Sequence, residues 1–142
     1  MPVPAEYQRI KDHLYDFLLD VRDIAELGST HQAYTMSQGV FQVFRRRISL
    51  KEAILFSNAL NAGIRSLFVA DWDVNESQKP FSDKKTMSEE VKNLRADHNF
   101  ATDNAIQVVA KALWKNSEAD KLRLVLSKLP KEAQEFWDMG PF

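Results

Sequence analysis

The chain has 142 residues, 44% of them apolar and 27% charged, with a formal net charge of −1 and no cysteine. This is one domain's worth of chain, and the near-neutral balance offers no general attraction to nucleic-acid phosphate, so no nucleic-acid partner is expected. The missing cysteines exclude disulfides, thiolate metal sites and thiol nucleophiles, and no uncharged apolar run reaches the roughly 18 residues of a membrane span.

The chain opens MPVPAEYQRIKDHLYDF, which turns charged early and lacks the apolar core of a signal peptide. The expected location is the cytoplasm, with no membrane association. Pro4 opens a first predicted helix, whose apolar residues Tyr7, Ile10, Leu14, Phe17, Leu18, Val21 and Ile24 recur every three or four positions. Gly28 stands where a left-handed C-terminal cap belongs. Ser29 or Thr30 caps a second helix to about Arg47, carrying Met36, Val40, Val43 and Phe44. Ser49 with Glu52 forms a capping box for a third. Asn61 breaks the chain and re-caps it into a fourth, through Ile64, Leu67 and Phe68.

The stretch 71–85, DWDVNESQKPFSDKK, is polar, holds Pro80 and shows no periodicity, which marks a linker. Thr86 with Glu89 begins a fifth helix, and Thr102 or Asn99 caps a sixth with Ala105, Val108, Val109, Ala112 and Leu113 on one face. Ser117 with Asp120 opens a seventh. Pro130 suits the first turn of an eighth, ending near Asp138 and Gly140. No strand of period two stands out.

A shift of 69 residues superimposes the inward positions of the two halves. Val40 falls on Val109, Phe44 on Leu113, Phe56 on Val125, Leu60 on Leu129 and Phe68 on Trp137, while the break at Asn61 falls on Pro130. One shift serving three helices and two breaks points to a duplication. The expected fold is all-α, a single helical bundle over 1–142 of about eight helices. It is built from two four-helix halves, at about 5–70 and 86–138, joined by the linker 71–85. Two such halves bury their apolar faces against each other in one core.

Three stretches carry a resemblance to a known family: THQAYTMSQGVFQVFRRRISLKEAILFSNALNAGIRSLF, the Trp72–Asp73 step, and TDNAIQVVAKALWKNSEADKLRLVLSKLPKEAQEFW. The chain resembles the bacterial domain of unknown function 2267 family. The most specific feature is Leu129–Pro130 before a short helix ending in Phe136–Trp137. The resemblance implies a soluble helical repeat domain and no particular activity. Two positions depart from the family pattern. Asn61 stands where a proline is expected, and the frequent Gly-Trp-Asp-Pro reads Asp71-Trp72-Asp73-Val74 here, in a turn that glycine would tighten.

Chemistry-bearing residues gather sparsely. Asp71, Trp72 and Asp73 could bind a cation or a sugar-like ligand, or form a tryptophan anchor between two solvated carboxylates. His31, Tyr34 and Arg65 converge if the second and fourth helices meet, giving an anion site through the arginine fork. Arg65 lies within reach of the linker carboxylates in that arrangement. Asp97, His98 and Asp103 carry ligand atoms for zinc or iron but lack helical ligand spacing, so no metal site is expected. Arg45, Arg46 and Arg47 complement the dipole of their helix end or offer a phosphate patch. No Ser, His or Gly-rich motif marks a catalytic centre, so no catalytic residue and no cofactor is assigned. The expected role is a non-enzymatic module for a protein partner or self-association. The alternative is a ligand site at the seam between the halves, drawing on Arg65, Asp71, Trp72, Asp73, His31 and Tyr34.

Overall fold

The computed structural model describes residues 3–94 and 101–139, and among them every regular element is a helix. In chain order these are α1 (Ala5–Gln8), α2 (Ile10–Ala25), α3 (Thr30–Arg45), α4 (Leu50–Ser57) and α5 (Ala62–Val69). After the linker come α6 (Lys84–Asn93), α7 (Ala105–Lys115), α8 (Ala119–Leu126) and α9 (Lys131–Phe136). The bundle is all-α as expected. The count rises to nine among the described residues because the first predicted helix breaks at Arg9, with φ −109° and ψ 21°. The single turn α1 buries no residue, so no packing holds it in line with α2. No helix among the described residues is long and apolar enough to cross a membrane.

The caps of the first half follow short-range chemistry. Ser29 Oγ accepts from the Gln32 amide at 3.1 Å, and Gln32 Oε1 accepts from the Gly28 amide at 2.9 Å. Gly28 thereby belongs to the start of α3. The left-handed cap of α2 is Glu26, with φ 56°, instead of Gly28. Ser49 and Glu52 make both bonds of the capping box, at 3.1 and 2.8 Å. Asn61 Oδ1 accepts from the Ile64 amide at 3.0 Å and opens α5.

The second half departs from its predicted caps. Asp83 caps α6 in place of Thr86, its carboxylate accepting from the Thr86 amide at 2.7 Å. That bond holds the Asp83 carboxyl below its usual range. Thr102 donates to Asn104 Oδ1 at 2.6 Å, and α7 starts after Asn104 without a side-chain cap. Asn99 lies outside the described residues, as does Gly140. Glu118, not Ser117, takes the cap position of α8 and makes no cap bond, because Ser117 sits one residue too early.

Every helix except α1 contributes to one hydrophobic cluster. At its centre Trp137, 0% exposed, stacks on Phe56 with ring centroids 5.4 Å apart and meets Phe44 edge-on at 5.2 Å. Phe44 in turn reaches Phe136 at 5.0 Å. Aromatic residues of both ends of the chain are thus locked into one cluster, where large buried area adds to favourable ring geometry. Helix α2 packs on α3, α5 and α7, α3 packs on α6 and α7, and α4 packs on α8. Gly63 allows α5 to approach α2 closely: a Cβ there would lie 2.8 Å from the Ile10 carbonyl oxygen and 2.9 Å from Leu14 Cβ.

Two polar contacts tie the halves together at matching places. On α2, Asp20 accepts from Asn116 Nδ2 at 2.8 Å and pairs with Lys115 at 3.2 Å. On α6, Glu90 pairs with Arg47 at 2.5 Å and Arg46 at 2.7 Å. Asp20 and Glu90 lie 70 residues apart, and their partners on α7 and α3 lie 69 apart.

Candidate functional site

The polar groups singled out in the sequence divide between two regions. At the end of α3 the arginine triplet is no solvent-facing cap, because Arg45 and Arg47 are each only 5% exposed. Arg45 Nη1 donates to the carbonyls of Phe68 and Ala70, at 2.7 and 2.9 Å, closing the C-terminus of α5. Burial lowers its pKa, opposed by Glu76 and Asp71 and assisted by Arg46. Arg46 pairs with Glu76 at 3.0 Å as well as with Glu90. The linker is bound onto the same end: the Lys79 amide donates to the Arg46 carbonyl at 2.9 Å, and Gln78 Nε2 to the Arg47 carbonyl at 3.3 Å. The triplet is a staple that fixes α5, the linker and α6 to α3.

Asp71, Trp72 and Asp73 belong to this staple. The Trp72 ring is half-buried, 6.4 Å from Phe68, with the Arg45 guanidinium 5.5 Å above it. Asp71 is exposed and takes a left-handed φ of 55°, while Asp73 Oδ1 accepts from the Asn75 amide at 3.0 Å in a local turn. His31 and Tyr34 meet with ring centroids 6.0 Å apart. Arg65 points elsewhere, to Glu6 at 3.7 Å and the Leu60 carbonyl at 3.4 Å, and not to the linker carboxylates. Asp103 pairs with Lys92, and Asp97 and His98 lie outside the described residues. Among the described residues no three His, Asp or Glu side chains gather as a metal site.

The partner of Arg65 leads to the second region. Glu6 lines a cleft of about 560 Å³ with Arg9 and His13 on one wall. The α4–α5 turn, Ala59 to Asn61, and the start of α8, from Asn116 through Glu118 to Lys121, complete it. Three local events shape it. The break at Arg9 separates α1 from α2, the Asn61 cap turns the chain into α5, and the missed cap leaves Ser117 on the wall. Asn61 Nδ2 donates to the Asn116 carbonyl at 3.4 Å, joining two of these segments. Two polar atoms of the lining, His13 Nδ1 and Ser117 Oγ, are shielded from solvent and have no hydrogen-bond partner. Ser37, Gln38 and Trp137, away from the cleft, hold such atoms as well. None of the six sequence-predicted site residues lines it, although Arg65 reaches its Glu6. The sequence placed Ser117 at a helix entry, and nothing in it pointed to Glu6, Arg9 or His13 nearby.

The chain matches the sequence model of a family described as uncharacterized conserved protein, domain of unknown function 2267, over residues 15–136. It belongs to that family. No curated protein matches it. The match begins inside α2, so Asn61 and Asn116 to Lys121 fall within it, whereas Glu6, Arg9 and His13 precede it.

Proposed function

We propose that this protein is a small-ligand-binding domain whose site is the cleft between α1, the α4–α5 turn and the start of α8. The observation that carries this reading is the concavity itself, which gathers Arg9, His13, Asn61, Asn116, Ser117 and Lys121 from three separate stretches of the chain. A volume of about 560 Å³ lies within the roughly 300–1,000 Å³ of small-molecule sites. Asn61 and Asn116 add amide groups on rigid helix ends, where a ligand's polar atoms can be oriented. The cysteine-free composition suits a reducing compartment such as the cytoplasm.

A thermal-shift screen of metabolites tests the reading. A ligand at a hundred times its Kd stabilises the native state by about 2.7 kcal/mol, which moves the midpoint measurably. At least one compound class should raise the midpoint of the native chain and lose its effect in Ser117→Trp, whose indole fills the cleft. Shifts that survive Ser117→Trp, or a panel without any, overturn the proposal.

A second reading, a protein-interaction module, is favoured by Leu50 and Ile54 on α4 and Leu124 on α8. These three are exposed on two helices that pack together. Sedimentation over a range of concentrations checks its self-associating form, which predicts a dimer weakened by Ile54→Lys.

Both readings place the function on a duplicated scaffold. Helices α4 and α8 are each eight residues long and start 69 residues apart, as do the starts of α5 and α9. The exchange of carboxylates between halves, Asp20 onto the end of α7 and Glu90 onto the end of α3, supports the same history.

A further inference from the structure

We infer that the ligand of the cleft is a small anion carrying a carboxylate or phosphate group, held by Arg9 and Lys121. The inference rests on the reading of the cleft as a ligand site.

The charge pattern carries it. Among the described residues every arginine but one engages an acceptor with its guanidinium: Arg22 with Asp23, Arg45 with two carbonyls, Arg46 and Arg47 with Glu90, Arg65 with Glu6, and Arg123 with Asp120. Arg9 is the exception. It lines the cleft and has no acceptor among the described residues. A guanidinium presents a planar fork of donors that matches carboxylate and phosphate oxygens. Lys121, on the opposite wall, likewise pairs with no carboxylate among the described residues. The two cleft carboxylates do not balance these cations. Glu6 is neutralised from outside by Arg65, which leaves Glu118 alone against Arg9 and Lys121.

Donor chemistry points the same way. The Arg9 guanidinium and the Lys121 ammonium bring only donors to the lining, and neither is taken up by a carboxylate among the described residues. A cleft with a free guanidinium and an ammonium selects an oxyanion over a neutral polyol, which would leave both cations uncompensated.

An amide-resolved NMR titration at constant ionic strength tests this with three probes: sodium phosphate, sodium succinate and glycerol. Phosphate or succinate should saturably move the amides of Asn61, Asn116 and Ser117, and which of them does so names the oxyanion. Arg9→Gln should weaken that binding at least tenfold and Lys121→Gln severalfold. Lys51→Gln, an exposed change on α4, should leave it unchanged. Arg9→Gln should keep the native thermal midpoint, because no side-chain bond is lost. Equal affinity in native and Arg9→Gln proteins overturns the inference. Glycerol shifting these amides while both anions fail overturns it too, yet leaves the ligand-site reading standing. If no probe moves them and the metabolite screen also finds nothing, both fail.

Discussion

The last turns of α3 and α7 receive the same kind of partner and finish differently. At α3, Glu90 of the other half is gripped by Arg46 and Arg47, and the linker lies across the helix end, bonded through its own backbone. At α7, Asp20 meets the shorter Asn116 and the exposed Lys115, and the cleft opens beside them. The difference lies in the residues that end each helix. Arg45 and Arg47 are buried charges, costly without acceptors, and the chain folds back over them to supply these. An asparagine satisfied by one carboxylate and the Ala112 carbonyl makes no such demand, and the space beside it stays open. The end of α3 is thus closed by the chain itself, while the end of α7 has a cleft beside it.

The largest expected effect breaks the closed end. Arg47→Ala leaves Glu90, whose side chain is 18% exposed, with a missing partner. Arg46 and Lys79 still face Glu90, so the loss is that of one charged bond and of the bond to the Val43 carbonyl, about 2–4 kcal/mol together. Asn116→Ala at the open end loses a bond to the Asp20 carboxylate that Lys115 still compensates, and should cost less, about 1.5 kcal/mol. Urea unfolding of both variants measures the gap. Equal losses would mean that the two ends are energetically alike and that the contrast between them is only one of shape.

The next effect sharpens the contrast through pH. Burial alone raises the Glu90 carboxyl, but its bonds to Arg47 and Arg46 and its attraction to Lys79 outweigh this, so its pKa lies below the ordinary 4.5. A carboxyl lowered in the folded state stabilises above its unfolded pKa, and that contribution disappears as the pH falls through the folded value. The difference in stability between the native chain and Glu90→Gln should therefore be full at pH 7, on the order of 1.5–3 kcal/mol for charged hydrogen bonds. It should shrink steadily below about pH 4.3. Unfolding curves at pH 7 and pH 3 that show the same difference would remove the charge of Glu90 as the cause.

A third effect links the open end to the packing behind it. Gly63→Ala puts a methyl group against the Ile10 carbonyl and Leu14, next to His13. Overpacking of this kind costs about 1–3 kcal/mol. Because the displaced segment of α2 carries one cleft wall, ligand affinity should fall together with the thermal midpoint. A midpoint loss without any change in binding would separate the cleft from α2.

What the sequence disclosed follows the range of the forces involved. Ser49 with Glu52, and Asn61 ahead of Ile64, act over three residues, and both caps form as the spacing predicts. Helical periodicity also placed Phe44, Phe56 and Trp137 inward. Ser117 shows the limit: a capping pattern offers a bond without requiring it, and Glu118 took the position. The arginine triplet misled because its neighbours in sequence do not include Glu90, or the Phe68 and Ala70 carbonyls it closes on. The cleft was hidden for the same reason. Its walls come from separate stretches around Arg9, Asn61 and Ser117, and only the packing of α2 on α5 and α7 brings them together. Arg65 was placed near the right seam but assigned to the linker, since nothing local reveals Glu6 as its partner.

The smallest effect concerns the entry to the closed end, where Asp71 occupies a left-handed conformation at φ 55°. Side chains other than glycine pay roughly 1–2 kcal/mol for this backbone region, less for Asp than for most. Glycine relieves the strain but gives up about 0.5–1 kcal/mol of chain entropy. Asp71→Gly should therefore raise stability slightly, by about 0.5 kcal/mol, and Asp71→Ala should lower it. Against this gain stands the attraction of the Asp71 carboxylate for the buried Arg45. Asp71 is exposed, which screens that attraction, so the backbone term should win. A thermal midpoint that falls in both Asp71→Gly and Asp71→Asn, and falls less at high salt than at low salt, would reverse the order. The carboxylate would then be part of the pairing that keeps this end closed, and the charge balance of the staple would extend one turn beyond Glu76 and Glu90.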